Sequence, residues 1–140
     1  MKDRLFTLDE ANALIPKLEN IMQQLQRHGL ALRAEVGALA KETGDLPEAI
    51  TVPHVLELRP QLHAVVEDME RLLGEIDACG LEMKGLDLGL IDFPAEINGE
   101  FVLLCWQFGE KEVGYYHSVE GGFAGRKPLD AKRSRPQVLH

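Results

Sequence analysis

The feature that most restricts this chain is a change of hydrophobic period at Lys84-Gly85. Before that point apolar residues recur in alternating steps of three and four, the mark of helices that bury one stripe. After it they alternate singly and glycines appear every few residues, the mark of strands and tight turns. A helical half followed by a sheet half, within 140 residues, is the pattern of an α+β domain in which each half covers the apolar face of the other.

The first helix opens on chemistry as well as on period. Thr7-Leu8-Asp9-Glu10 has the form of a capping box, with Phe6 placed to staple against Ala11, so the helix starts at Leu8. Ala11, Ile15, Leu18, Met22, Leu25, Gly29, Leu32, Val36 and Leu39 then carry a coiled-coil-like seam to about Thr43. Leu14 and Ile21 widen that seam toward a globular core face, and Pro16 predicts a kink between Asn12 and Pro16. Gly44 to Glu48 is turn chemistry, and Pro53 suits the first turn of a second helix over residues 53–79, with Gly80 to stop it and Pro60 as a second irregularity. Two helices of roughly 25 to 30 residues each, about 40 Å long and joined by a short loop, predict an antiparallel helical hairpin.

The remainder reads as a three-stranded antiparallel β-meander over residues 88–119, with strands at 90–97, 100–108 and 113–119. Asn98-Gly99 is a two-residue hairpin turn, which pairs Ile97 with Glu100, Phe93 with Leu104 and Ile91 with Trp106. A four-residue loop at 109–112 pairs Phe108 with Val113, hence Trp106 with Tyr115 and Leu104 with His117. In this register Tyr115, His117 and Val119 join the apolar face that the hairpin covers. Asp92, Phe101, Leu103, Cys105 and Tyr116 take the other face, so Asp92 and His117 stand on opposite sides of the sheet. The expected organisation is a single domain over 1–129, with a glycine-rich loop at 121–126 and a flexible basic tail at 130–140.

Charge narrows the classes of function. The net charge is −8, and residues 1–125 hold 10 basic against 22 acidic side chains, the wrong balance for a general binder of nucleic acid or of an anionic membrane. No apolar run approaches the roughly 18 to 20 residues that span a bilayer, and Met1-Lys2-Asp3-Arg4 leads into an amphipathic pattern, so a cytoplasmic location is expected. Cys79 and Cys105 are far apart and form neither a disulfide framework nor a zinc-binding spacing, so they are read as buried reduced thiols.

Several segments carry a resemblance. Phe6-Thr7-Leu8-Asp9-Glu10-Ala11-Asn12, the run from Lys84 to Pro94, Leu104-Cys105-Trp106 followed by Gly109-Glu110, Tyr116-His117, and Gly122-Phe123-Ala124-Gly125-Arg126 together resemble the bacterial family catalogued as domain of unknown function 2203. The resemblance extends to about Leu129. It implies a small bacterial protein and brings no activity with it, so no catalytic residue is carried over. In similar sequences a Trp often precedes the His that corresponds to His117, where this chain has Tyr116.

Polar residues set among glycines between Asp87 and Arg126 are where a site would lie. Asp87, Asp92, Glu110, His117 and Arg126 are the candidate ligand-binding residues, with Glu96 and Glu120 weighed beside them. Carboxylates with an imidazole suit a divalent cation such as Mn, Fe or Zn, but no His-x-x-x-His, His-Glu-x-x-His or EF-hand spacing occurs. The alternative for His117 is an edge-of-core imidazole bonded to a backbone carbonyl or to Tyr115. For the loop it is a structural turn in which Phe123 plugs the core and Arg126 pairs with Asp87 or Asp92. Ser118 and Ser134 lack a nucleophile elbow, and the apolar settings of both cysteines raise rather than lower a thiol pKa.

The expectation is therefore a non-enzymatic interaction or scaffolding module without a cofactor, self-associating as a homodimer through apolar surface such as Phe101 and Leu103. The alternative is a small-ligand or divalent-metal-binding enzyme with its site between Asp87 and Arg126.

Overall fold

The computed structural model describes residues 4–129 and 138–139. The capping box forms as read: Glu10 N–H donates to Thr7 Oγ1 at 3.0 Å and Thr7 N–H donates to Glu10 Oε1 at 2.9 Å, starting α1 (Leu8–Ala13). The kink expected near Pro16 is a break. Proline cannot donate to the carbonyl four residues back, so α1 stops and α2 (Ile15–Thr43) begins with Pro16 in its first turn, ending on Gly44 in the left-handed conformation.

The second limb is likewise divided. Thr51 caps α3 (Val52–Leu58), whose first turn holds Pro53; Arg59, at φ −133° and ψ 71°, has left the helical region, which the following proline disfavours, and ends it. A single 3₁₀ turn at Pro60–Leu62 leads into α4 (His63–Ala78). The single helix expected over 53–79, with an irregularity at Pro60, is thus corrected to two helices, because Pro60 removes a donor where the ladder would continue. The limbs still run in opposite directions: His28 of α2 bonds Asp68 of α4, while Glu35 and Glu42, further along α2, meet Arg59.

The sheet is larger than a three-stranded meander. It holds β1 (Glu82–Lys84), β2 (Leu90–Ile97), β3 (Glu100–Gln107), β4 (Tyr115–His117) and β5 (Lys127–Pro128) in that spatial order, all antiparallel, and β6 (Val138–Leu139) pairs with Glu96–Ile97 of β2. The short strands escaped the sequence reading because two or three residues show no period. The tail expected over 130–140 falls mostly outside the described residues.

The β2–β3 register is the one expected, Ile91 opposite Trp106 and Ile97 opposite Glu100. Between β3 and β4 the register differs by one residue: Cys105 faces Tyr115, Leu104 faces Tyr116 and Leu103 faces His117. The cause lies in the connection. Val113 N–H donates to Asn12 Oδ1 of α1 at 2.7 Å, and the turn closes on itself through Trp106 Nε1–H to the Glu110 carbonyl (2.8 Å) and Gln107 N–H to Glu110 Oε1 (2.7 Å). Val113 therefore leaves the ladder to anchor on a helix, and the strand resumes at Tyr115.

Because side chains alternate, this one-residue shift exchanges the faces of β4. Tyr116 packs against the main core, which joins Phe6, Leu18, Met22, Leu25, Leu72 and Ile76 of the helical half to Ile91, Phe93, Leu104 and Trp106 of the sheet. Tyr115 and His117 move to the opposite face, and Val119, expected in the core, is exposed. A smaller core of Leu39, Val55 and Leu62 holds the far end of the hairpin.

Candidate functional site

Three adjacent strands deliver one side chain each to a single point on the sheet face away from the helices. Asp92 lies on β2, Cys105 directly opposite on β3, and His117 diagonally beyond on β4. All three are at most 3% exposed. One ligand-type atom from each, a carboxylate oxygen, the thiol sulfur and an imidazole nitrogen, lie within 4.8 Å of one another. Donors in a tetrahedral site with bonds of about 2.0 to 2.3 Å stand roughly 3.3 to 3.6 Å apart, so this trio would draw together on binding one cation.

Hydrogen bonding orients the trio inward. His117 Nδ1 lies 2.7 Å from the Ser118 carbonyl, which only accepts, so Nδ1 carries the proton and donates. Nε2 is thereby turned to Asp92, 3.1 Å from Oδ1. A backbone carbonyl fixing one imidazole nitrogen while the other faces a site is the outer-shell arrangement of metal-binding histidines. Asp92 Oδ2 is buried and has no hydrogen-bond donor among the described residues. An oxygen in that condition costs about 1 to 3 kcal/mol unless something else satisfies it.

The Cys105 thiol is pushed up to about 11, first by burial and then by the Asp92 carboxylate, against a smaller opposing effect of Arg126. His117 spends both nitrogens elsewhere and does not activate the thiol as a base. The geometry is not that of a cysteine nucleophile, whereas a divalent cation would displace the thiol proton and take the sulfur as thiolate.

A second group stands beside the first. Arg126 lies over the Tyr115 ring at 4.0 Å, donates from Nη2 to Glu110 Oε1 at 2.8 Å, and reaches the Cys105 carbonyl at 3.3 Å. Its side chain is only 12% exposed. Arg126 thus ties the turn after β3 and the ring of Tyr115 to the backbone of Cys105. The pairing expected with Asp87 or Asp92 is corrected to Glu110, which the turn after β3 carries to the guanidinium.

Of the five residues singled out in the sequence, Asp92 and His117 converge, and Glu110 and Arg126 pair next to them. Asp87 is elsewhere: in an exposed ion pair with Arg33 at 2.7 Å, it lines an open groove with Gln26, Gly29 and Leu30 of α2. The expected placement of Asp92 and His117 on opposite faces is overturned by the β3–β4 register. Cys105 is the site residue that sequence reasoning missed. The available signal was its position: in the correctly read β2–β3 hairpin it falls directly opposite Asp92. The Phe123 side chain, expected to plug the core, lies outside what is described.

The family model for an uncharacterized conserved protein (DUF2203) matches residues 4–129, and the chain belongs to that family. No curated protein and no solved structure matches it. Among the described residues, no helix is long and apolar enough to cross a membrane.

Proposed function

We propose that this is a cytoplasmic bacterial protein that binds a divalent transition-metal ion through Asp92, Cys105 and His117. The observation that carries the reading is the convergence of three buried donors from three neighbouring strands, one of them a carboxylate whose Oδ2 has no donor among the described residues. A buried imidazolium–carboxylate pair would satisfy one oxygen of Asp92 and leave the second without a donor among the described residues. A cation gives that oxygen a partner and draws in the imidazole and the thiol beside it. Oxygen, nitrogen and sulfur donors together favour zinc or ferrous iron over manganese or magnesium. Two free cysteines are in keeping with a reducing compartment, where a thiol stays available as a ligand.

Cobalt(II) is the direct probe. Added to metal-free protein, it should give the near-ultraviolet absorption of sulfur-to-cobalt charge transfer in the wild type and none in Cys105→Ala. Failure of the wild type to develop that absorption would refute sulfur ligation.

A second reading, self-association through the outer sheet face, is favoured by Phe101 and Val119, 52% and 61% exposed, which border a groove of about 200 Å³ with Pro94 and Leu103. Light scattering that returns a dimer mass would support it, and a monomer at every micromolar concentration would remove it.

A further inference from the structure

We infer that the metal held by Asp92, Cys105 and His117 keeps one exchangeable coordination position, and that this position takes a small monoanionic ligand of the carboxylate class with Lys84 as its charge partner. The inference rests on the metal reading above and extends it from a site that stores an ion to one that presents it to a ligand.

The first support is the count and placement of donors. Among the described residues three donors converge, and all three line one cavity of about 130 Å³, together with Lys84, Leu90 and Gly122. Structural zinc sites are closed by four protein ligands, whereas three ligands with space on the fourth side is the arrangement of sites that exchange water or substrate. A cavity of this size has room for about four waters at roughly 30 Å³ each, which is also the scale of formate or acetate. Leu90, 3% exposed, gives it an apolar wall, so a ligand there is partly shielded from water.

The second support is charge. A divalent ion with the Asp92 carboxylate and the Cys105 thiolate is neutral overall, and the guanidinium of Arg126 beside Cys105 is already matched by Glu110. Lys84 is the cation lining the cavity. Its side chain is 52% exposed and paired at 2.6 Å with Glu82, itself 50% exposed. Exposed pairs of this kind hold little energy, so the ammonium can turn from Glu82 to a cavity ligand. Glu82 chiefly holds Lys84 charged, with Asp92 adding a little to the effect. Lys84, the cation among the described residues that line the cavity, next to a neutral centre suits one negative charge. It disfavours a phosphate dianion.

The test uses full-length protein loaded with cobalt(II), titrated with sodium acetate at constant ionic strength while the visible absorption of the metal is followed. A saturable spectral change is expected. It should be weakened about tenfold or more in Lys84→Gln, with cobalt loading retained because Lys84 is not a ligand to the ion. Inorganic phosphate at the same concentration should produce a smaller change. Full cobalt loading with a spectrum indifferent to acetate would overturn this inference and leave the metal reading standing; failure to load cobalt would overturn both. An acetate response of equal strength in Lys84→Gln would remove Lys84 from the account, and a stronger response to phosphate would contradict the monoanion assignment.

Discussion

His117 Nε2 lies 3.1 Å from Asp92 Oδ1, although the two residues are 25 positions apart in sequence and a whole strand runs between theirs in the sheet. The diagonal reach across β3 is possible because His117 faces Leu103 rather than Leu104. The same relationship places Cys105, opposite Asp92, between the two. The site is therefore a consequence of one register.

Arg126 should be sensitive to a change that keeps its charge. Lysine cannot stack on Tyr115 and reach both Glu110 and the Cys105 carbonyl, so Arg126→Lys should lower stability by about 1 to 3 kcal/mol, read as a lower urea midpoint with unchanged slope. A change below about 0.5 kcal/mol would show that the guanidinium is not holding the turn after β3 in place.

Two glycines should respond in opposite senses to alanine. Gly89 sits at φ +66°, and a Cβ there would stand 2.8 Å from the Phe108 Cβ, an atom that cannot swing away. Gly89→Ala should cost about 2 to 4 kcal/mol. Gly74, inside α4, has nothing within 4 Å of an added Cβ, so Gly74→Ala should raise stability by about 0.5 to 1 kcal/mol. Chemical denaturation of both variants beside the wild type checks the pair, and equal effects would contradict it.

In metal-free protein the buried thiol gives a pH dependence of known sign. Cys105 ionises at about 11 when folded, against an ordinary 9.0, so the unfolded chain loses the proton first as pH rises. The contribution is complete below pH 9 and is lost through pH 11, on the order of 2 to 3 kcal/mol. The stability difference between wild type and Cys105→Ala, measured from pH 7 to 11 with a chelator present, should narrow or reverse accordingly. A difference independent of pH would mean that the thiol is not buried beside Asp92.

The helical half was legible where local chemistry decides structure. The capping box at Thr7, the stop at Gly44 and the positions of Pro16 and Pro60 each act within a few residues. The β2–β3 hairpin was legible for the same reason, since Asn98-Gly99 sets its register through one turn. The β3–β4 register was not, because it is set by the bond from Val113 N–H to Asn12 Oδ1, between residues 101 positions apart. That single displacement hid the cluster: with β4 shifted by one, Asp92 and His117 read as candidates on opposite faces of the sheet and Cys105 as a buried apolar thiol. Asp92 and His117 were found by residue type, and their meeting with Cys105 needed the tertiary anchor.

Zinc retention joined to thermal stability tests the central claim most directly. Metal-free wild-type protein, given excess zinc and passed through gel filtration, should keep one zinc per chain. With free zinc at about 100 times its Kd, the protein should gain about 2.7 kcal/mol, a rise in Tm on the order of 10 °C. His117→Ala and Cys105→Ala, if folded by circular dichroism, should keep little zinc and show little rise. A wild type that retains no zinc and melts at the same temperature with and without it would contradict the account.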